Sequence, residues 1–94
     1  MKIYIYRKHI YNMNGKLRIT FPDGSYERYW GQIYDNMANG HGTAQNKTYR
    51  YNGQFVDNNK HGEGTLVDND SKYTGQWKNN VYHGQGIYRW SNGK

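Results

Sequence analysis

The chain has no cysteine and a single proline, Pro22, in 94 residues. Without thiols, a domain this small has neither a disulfide framework nor a thiolate metal site to hold it together. Hydrophobic residues make up only 34% of it, too few for a deep two-sided core. No apolar run approaches the roughly 20 residues that a membrane-spanning helix needs. At the amino terminus, Met1-Lys2-Ile3-Tyr4-Ile5-Tyr6-Arg7-Lys8 alternates and offers no continuous stretch for a signal peptide. The expectation is a soluble, cytoplasmic chain that at most attaches to a membrane from outside. Acids are also scarce, 7 against 13 Lys and Arg, for a net charge of +6. Residues 1–28 hold six of the basic residues against two acids, whereas residues 29–94 hold seven against five. That bias favours acidic partners such as lipid head groups, nucleic acid or an acidic protein.

What the chain does have is self-similarity. Tyr29-Trp30-Gly31-Gln32-Ile33 returns 22 residues later as Tyr51-Asn52-Gly53-Gln54-Phe55 and again as Tyr73-Thr74-Gly75-Gln76-Trp77. Gly40-His41-Gly42, Gly62-Glu63-Gly64 and Gly84-Gln85-Gly86 keep the same step. Two signatures in one register define stacked supersecondary units. Within a unit, Tyr73, Gly75 and Trp77 alternate with Thr74, Gln76 and Lys78, the period of a half-buried strand. Asn79-Asn80 then supplies residues that tolerate left-handed backbone, and Gly84-Gln85-Gly86-Ile87-Tyr88 runs back. The chain is therefore all-β, a meander of hairpins in a single sheet layer.

Three units are clear, residues 29–50, 51–72 and 73–94, and residues 1–28 hold a degenerate copy, all in one domain. In that copy Asn14-Gly15-Lys16-Leu17 reads as a return strand with Leu17 in the place of the second glycine. Strand glycines need a reason, and a common one serves for all: Gly31, Gly40, Gly42, Gly53, Gly62, Gly64, Gly75, Gly84 and Gly86 leave slots in which rings lie flat. Equivalent rings of successive units stand roughly 10 Å apart, beyond the 4.5–7 Å of ring contact, so return-strand residues such as Leu66 or Tyr88 are expected between them. Gln76, on the opposite face, is expected to be dispensable for folding and binding.

Residues 73–93 resemble the MORN repeat closely, in Tyr-x-Gly-x-aromatic, His-Gly-x-Gly and a closing Asn-Gly turn. Residues 51–72 match nearly as well, through Tyr51, Gly53, Phe55, His61, Gly62 and Gly64. The match is looser in residues 29–50, where Ile33 replaces the aromatic and Asn39 stands for the histidine. The resemblance implies an elongated, twisted, single-layer antiparallel sheet, and a scaffold for a partner helix or peptide or for self-association. It also implies membrane lipid binding as an alternative.

The residues lead to similar candidates. Tyr29, Tyr51, Phe55, Tyr73, Trp77 and Tyr88 form an aromatic face that holds the fold and is expected to leave surface for a protein partner. Lys2, Arg7, Lys8, Lys16, Arg18 and Arg28 are the contacts expected for an anionic membrane. A homo-oligomer through the sheet edge or face is a further expectation, and nucleic acid ranks last among partners. His61 and His83 stand too far apart for one zinc ion, so no metal is expected. No Gly-x-Gly opens a helix or extends to a phosphate loop, and Ser25, Ser71 and Ser91 sit in polar turns. Neither a cofactor nor an enzymatic activity is expected.

Overall fold

The computed structural model describes residues 13–90, which form seven strands: β1 Met13–Thr20, β2 Tyr26–Tyr34, β3 Met37–Gln45, β4 Tyr49–Val56, β5 Asn59–Asp68, β6 Ser71–Lys78 and β7 Val81–Trp90. They pair in sequence order, each antiparallel to the next, in one open sheet. Asp35-Asn36, Asp57-Asn58 and Asn79-Asn80 each place two consecutive residues at positive φ, between 47° and 73°. Two-residue turns of this kind match the right-handed twist of the flanking strands. The turns also join neighbouring units. Asn58 donates its backbone N–H to the Ala38 carbonyl (2.9 Å), while its side-chain oxygen accepts from the Ala38 N–H (2.8 Å). Asn80 repeats both bonds to Lys60, at 3.0 and 2.8 Å.

The glycines divide into three tasks, where the sequence suggested one. The second unit shows all three. Gly64 is the expected slot: a Cβ there would collide with the Tyr51 ring, which lies across it. Gly53 faces Gly64 across β4 and β5, and a Cβ on it would strike the Gly64 Cα and come within 2.5 Å of the Glu63 carbonyl oxygen. Its two nearest neighbours are backbone atoms, where at Gly64 they belong to the Tyr51 side chain. Gly62 has φ +82°, and a Cβ there would strike the side-chain oxygen of Gln54. That oxygen accepts the Glu63 N–H at 2.9 Å, in the stretch where the β4–β5 register slips.

Gln76 does the same for the Gln85 N–H (3.0 Å), so strand alternation misled about it. Its side chain is exposed but bridges a break in the ladder. Gln76→Ala is therefore expected to lower stability by about 1 kcal/mol, the usual worth of one such bond, read as a drop in thermal midpoint.

The first pairing revises the degenerate copy. Gly15 faces Gly31, and Leu17 faces Tyr29, as Gly42 faces Gly53 and Ala44 faces Tyr51. Gly15, not Leu17, is thus the counterpart of the second glycine. The five residues between β1 and β2 hid this, because Phe21-Pro22-Asp23-Gly24-Ser25 is a longer turn than its counterparts. Its Asp23 side chain accepts the Ser25 hydroxyl at 2.6 Å and the Ser25 N–H at 2.9 Å, and these bonds, the hydroxyl's first, hold the Asp23 carboxyl below the ordinary range.

Candidate functional site: two faces of one sheet

On the inner face each first-strand tyrosine lies over a glycine and donates its hydroxyl to the carbonyl three residues on. The bonds are Tyr29 to Gln32 (2.7 Å), Tyr51 to Gln54 (2.8 Å) and Tyr73 to Gln76 (2.9 Å). Because the tyrosines lie low, the next unit's aromatic residue fits upright between them. Phe55 meets Tyr29 and Tyr51 edge-on at 4.9 and 5.1 Å, and Trp77 meets Tyr51 and Tyr73 at 5.1 and 5.3 Å. The interleaving residues are thus Phe55 and Trp77, with Leu66 packed only against the cluster and Tyr88 at 6.5 Å from Tyr73. Edge-to-face pairs of this kind add about 0.5–1.5 kcal/mol each beyond their buried area. Trp77 also donates its indole N–H to the Gly64 carbonyl (3.1 Å).

This packing uses up most of the aromatic face. Tyr29, Tyr51, Phe55, Tyr73 and Trp77 are each no more than 6% exposed, whereas Tyr88 keeps 44% of its surface. What remains outward on this side is Tyr82, Tyr88 and Trp90, in contact with one another at 6.0 and 5.2 Å. Beside them a shallow hollow of about 390 Å³ is lined by Tyr49, Lys60, Leu66, Trp77, Val81 and Tyr82.

Positions that vary between units carry a feature with no sequence signal. Glu27, Tyr49 and Ser71 each stand two residues before the tyrosine of their unit. Glu27 is fully buried, accepts from Lys60 Nζ at 2.6 Å and takes the Tyr49 hydroxyl on the same oxygen. The Lys60 ammonium lies 5.5 Å from the centres of both the Tyr49 and Tyr51 rings. Burial raises the hydroxyls of Tyr29, to about 12, and of Tyr49 and Tyr51; for Tyr49 the Glu27 carboxylate adds to this. A neutral hydroxyl is thus preferred in the folded state, so this stability is complete below about pH 10 and falls as pH rises toward 12. Alkaline titration is expected to give one cooperative unfolding step there, seen together in tyrosinate absorbance and circular dichroism.

The outer face is exposed and basic. Pairing across the sheet sets Arg18, Arg28, Gln45, Arg50, Val67, Lys72 and Arg89 in one continuous row, one residue from each strand. All seven are exposed, five are cations and none is an acid. Lys16, Arg18 and Arg28 fall together around a hollow of about 690 Å³ that Trp30 and Thr43 also line. Lys2, Arg7 and Lys8 lie outside the described residues. Arg50, Lys72 and Arg89 were missed by weighing charge by segment, yet a signal existed. A basic residue precedes the first tyrosine of every unit, as Arg28-Tyr29, Arg50-Tyr51 and Lys72-Tyr73.

Among the described residues no cluster of His, Asp or Glu has the arrangement of a metal site, and no helix is long and apolar enough to cross a membrane. Ser25 donates its hydroxyl to Asp23 within a turn, and Ser71, at the start of β6, donates its hydroxyl to Asp68 at the end of β5. The architecture is a repeat array, in which similar hairpins form one sheet with two extended faces. The MORN repeat model matches residues 29–46, 51–71 and 73–94, and the chain belongs to that family, whose repeats are non-enzymatic modules of protein and membrane interaction. No curated protein matches the chain.

Proposed function

We propose that this chain is a cytoplasmic scaffold that receives a partner helix or peptide on the inner face, in the hollow between Lys60 and Tyr82 and over the rings of Tyr82 and Tyr88. One observation supports the reading above others. The ring ladder is closed from Tyr29 to Trp77, while Tyr82, Tyr88 and Trp90 are 46%, 44% and 49% exposed on the same side. Amphipathic rings at the edge of a rigid, packed surface are suited to anchor an interface. Binding then rests on Tyr82 and Tyr88, with Tyr51, Tyr73 and Trp77 acting as the floor. Partner capture from the native cell, read by mass spectrometry and repeated with variants that keep the wild-type circular dichroism, tests this. The same partner should be lost on Tyr82→Ser/Tyr88→Ser and kept on Arg50→Glu/Lys72→Glu. The reverse pattern contradicts the proposal.

A second reading, peripheral attachment to anionic membrane, is supported by Lys16, Arg18 and Arg28 lying on one exposed patch of two adjacent strands. Each such cation contributes about 1 kcal/mol near an acidic surface, and salt screens it. Retention on phosphatidylserine vesicles at low salt, lost at high salt and on neutral vesicles, is the expected result. Retention on neutral vesicles counts against it.

A further inference from the structure

The outer face has two features that neither reading uses, the full length of its cation row and the rings beside it. Arg28, Arg50 and Lys72 stand two strands apart, about 10 Å, and the row from Arg18 to Arg89 spans roughly 29 Å. On β2 the exposed Tyr26 and Trp30 flank Arg28 on the same face, 43% and 56% exposed. Glycine cover, which explains the inner rings, does not explain these two. The Arg18 guanidinium lies 4.3 Å from the centre of the Tyr26 ring, so the cation and the ring share one surface. Shallow hollows lie on both sides of Arg28, one reaching Trp30 and Thr43, the other Tyr26 and Lys47.

We infer that this face binds single-stranded nucleic acid, with the phosphate backbone following the row Arg18–Arg28–Arg50–Lys72–Arg89 and bases stacking on Trp30 and Tyr26. Cationic tracks with adjacent aromatic platforms are the sequence-tolerant way to hold a single strand. Shape favours a strand over a plane. Neighbouring strands in a sheet rotate by about 20–25°, so six steps turn the row through roughly 120–150°. A flat membrane meets only part of such a row, whereas a flexible linear polyanion winds along all of it. Acids do not interrupt the path. Glu63 pairs with Gln76 in a different row, four residues along β5 from Val67, and Asp23 and Asp70 lie in turns.

Fluorescence anisotropy of the whole chain with labelled oligothymidine and oligouridine of about 12 nucleotides tests the inference, within the length one such surface covers. Five phosphate contacts give a slope of about −3.5 in log affinity against log salt, hence roughly a hundredfold loss between about 50 and 200 mM salt. Arg50→Glu/Lys72→Glu should weaken binding and flatten the slope by about 1.4. Trp30→Ala should weaken binding about 5- to 150-fold and leave the slope unchanged, the signature of stacking. Tyr82→Ser/Tyr88→Ser should have no effect, which separates this site from the inner-face reading. No binding at about 50 mM salt, or binding indifferent to both outer-face variants, overturns the inference. So does binding of phosphatidylserine vesicles lost in Arg50→Glu/Lys72→Glu when the oligonucleotides do not bind, which assigns the face to a membrane.

Discussion

Gly53→Ala is expected to lower the folding stability of the chain by about 3 kcal/mol or more. The added methyl would meet the Gly64 Cα, the Glu63 carbonyl at 2.5 Å and the Tyr51 hydroxyl at 2.7 Å. Two of these three are backbone atoms of the paired strand, which no rotamer change can move aside. Overpacking in a yielding core costs about 1–3 kcal/mol, and here the neighbour does not yield, so about 3 kcal/mol or more is expected. A domain stabilised by roughly 5–15 kcal/mol loses much of its margin to that. Gly24→Ala is the control, because a Cβ there has nothing within 4 Å and only φ +90° opposes it. About 1–2 kcal/mol is expected in that case. Urea unfolding of both variants makes the comparison. Equal midpoints would show that the close approach of Gly53 to Gly64 does not matter.

Lys60→Met is expected to cost about 3–5 kcal/mol, because it leaves the Glu27 carboxylate buried with its charge uncompensated. The companion Glu27→Leu/Lys60→Met should recover most of that loss, since apolar replacements of a buried pair are often neutral or stabilising. The sign of the coupling between the two sites is the informative quantity. A double variant as unstable as Lys60→Met would show that the pair itself, not the stranded charge, holds the units together. The pair joins β2 to β5, strands that are not neighbours in the sheet, and so ties together units that the backbone ladder links only through β3 and β4.

The repeated positions were the legible part of this fold. A 22-residue step with period-two alternation was enough to place Tyr51, Gly53 and Phe55 on one face and to set a turn at Asn79-Asn80, because each depends on local backbone geometry. The same step hid what alternation does not encode. Gln76 points outward like Thr74, but the irregular β6–β7 register and Gly84 at φ +56° bring its amide back onto the backbone of Gln85. Glu27 and Lys60 are 33 residues apart and sit at positions that differ in every unit, so no periodicity links them. The outer row was written in the sequence, one residue before each tyrosine, but becomes a row only through the strand register. Of the candidate surface, Lys16, Arg18 and Arg28 were read from charge, while Arg50, Lys72 and Arg89 needed the pairing.

One arrangement is central to this fold: tyrosine rings lie flat over the glycines of the return strand and close most of the inner face. The proton NMR spectrum tests it most directly. A ring held over a glycine shifts that glycine's Hα signals upfield, so Gly42, Gly64 and Gly86 should all be displaced. In Tyr51→Leu the displacement should vanish at Gly64 and persist at Gly86. Ordinary Hα positions for all three glycines in the folded wild-type protein would contradict the account.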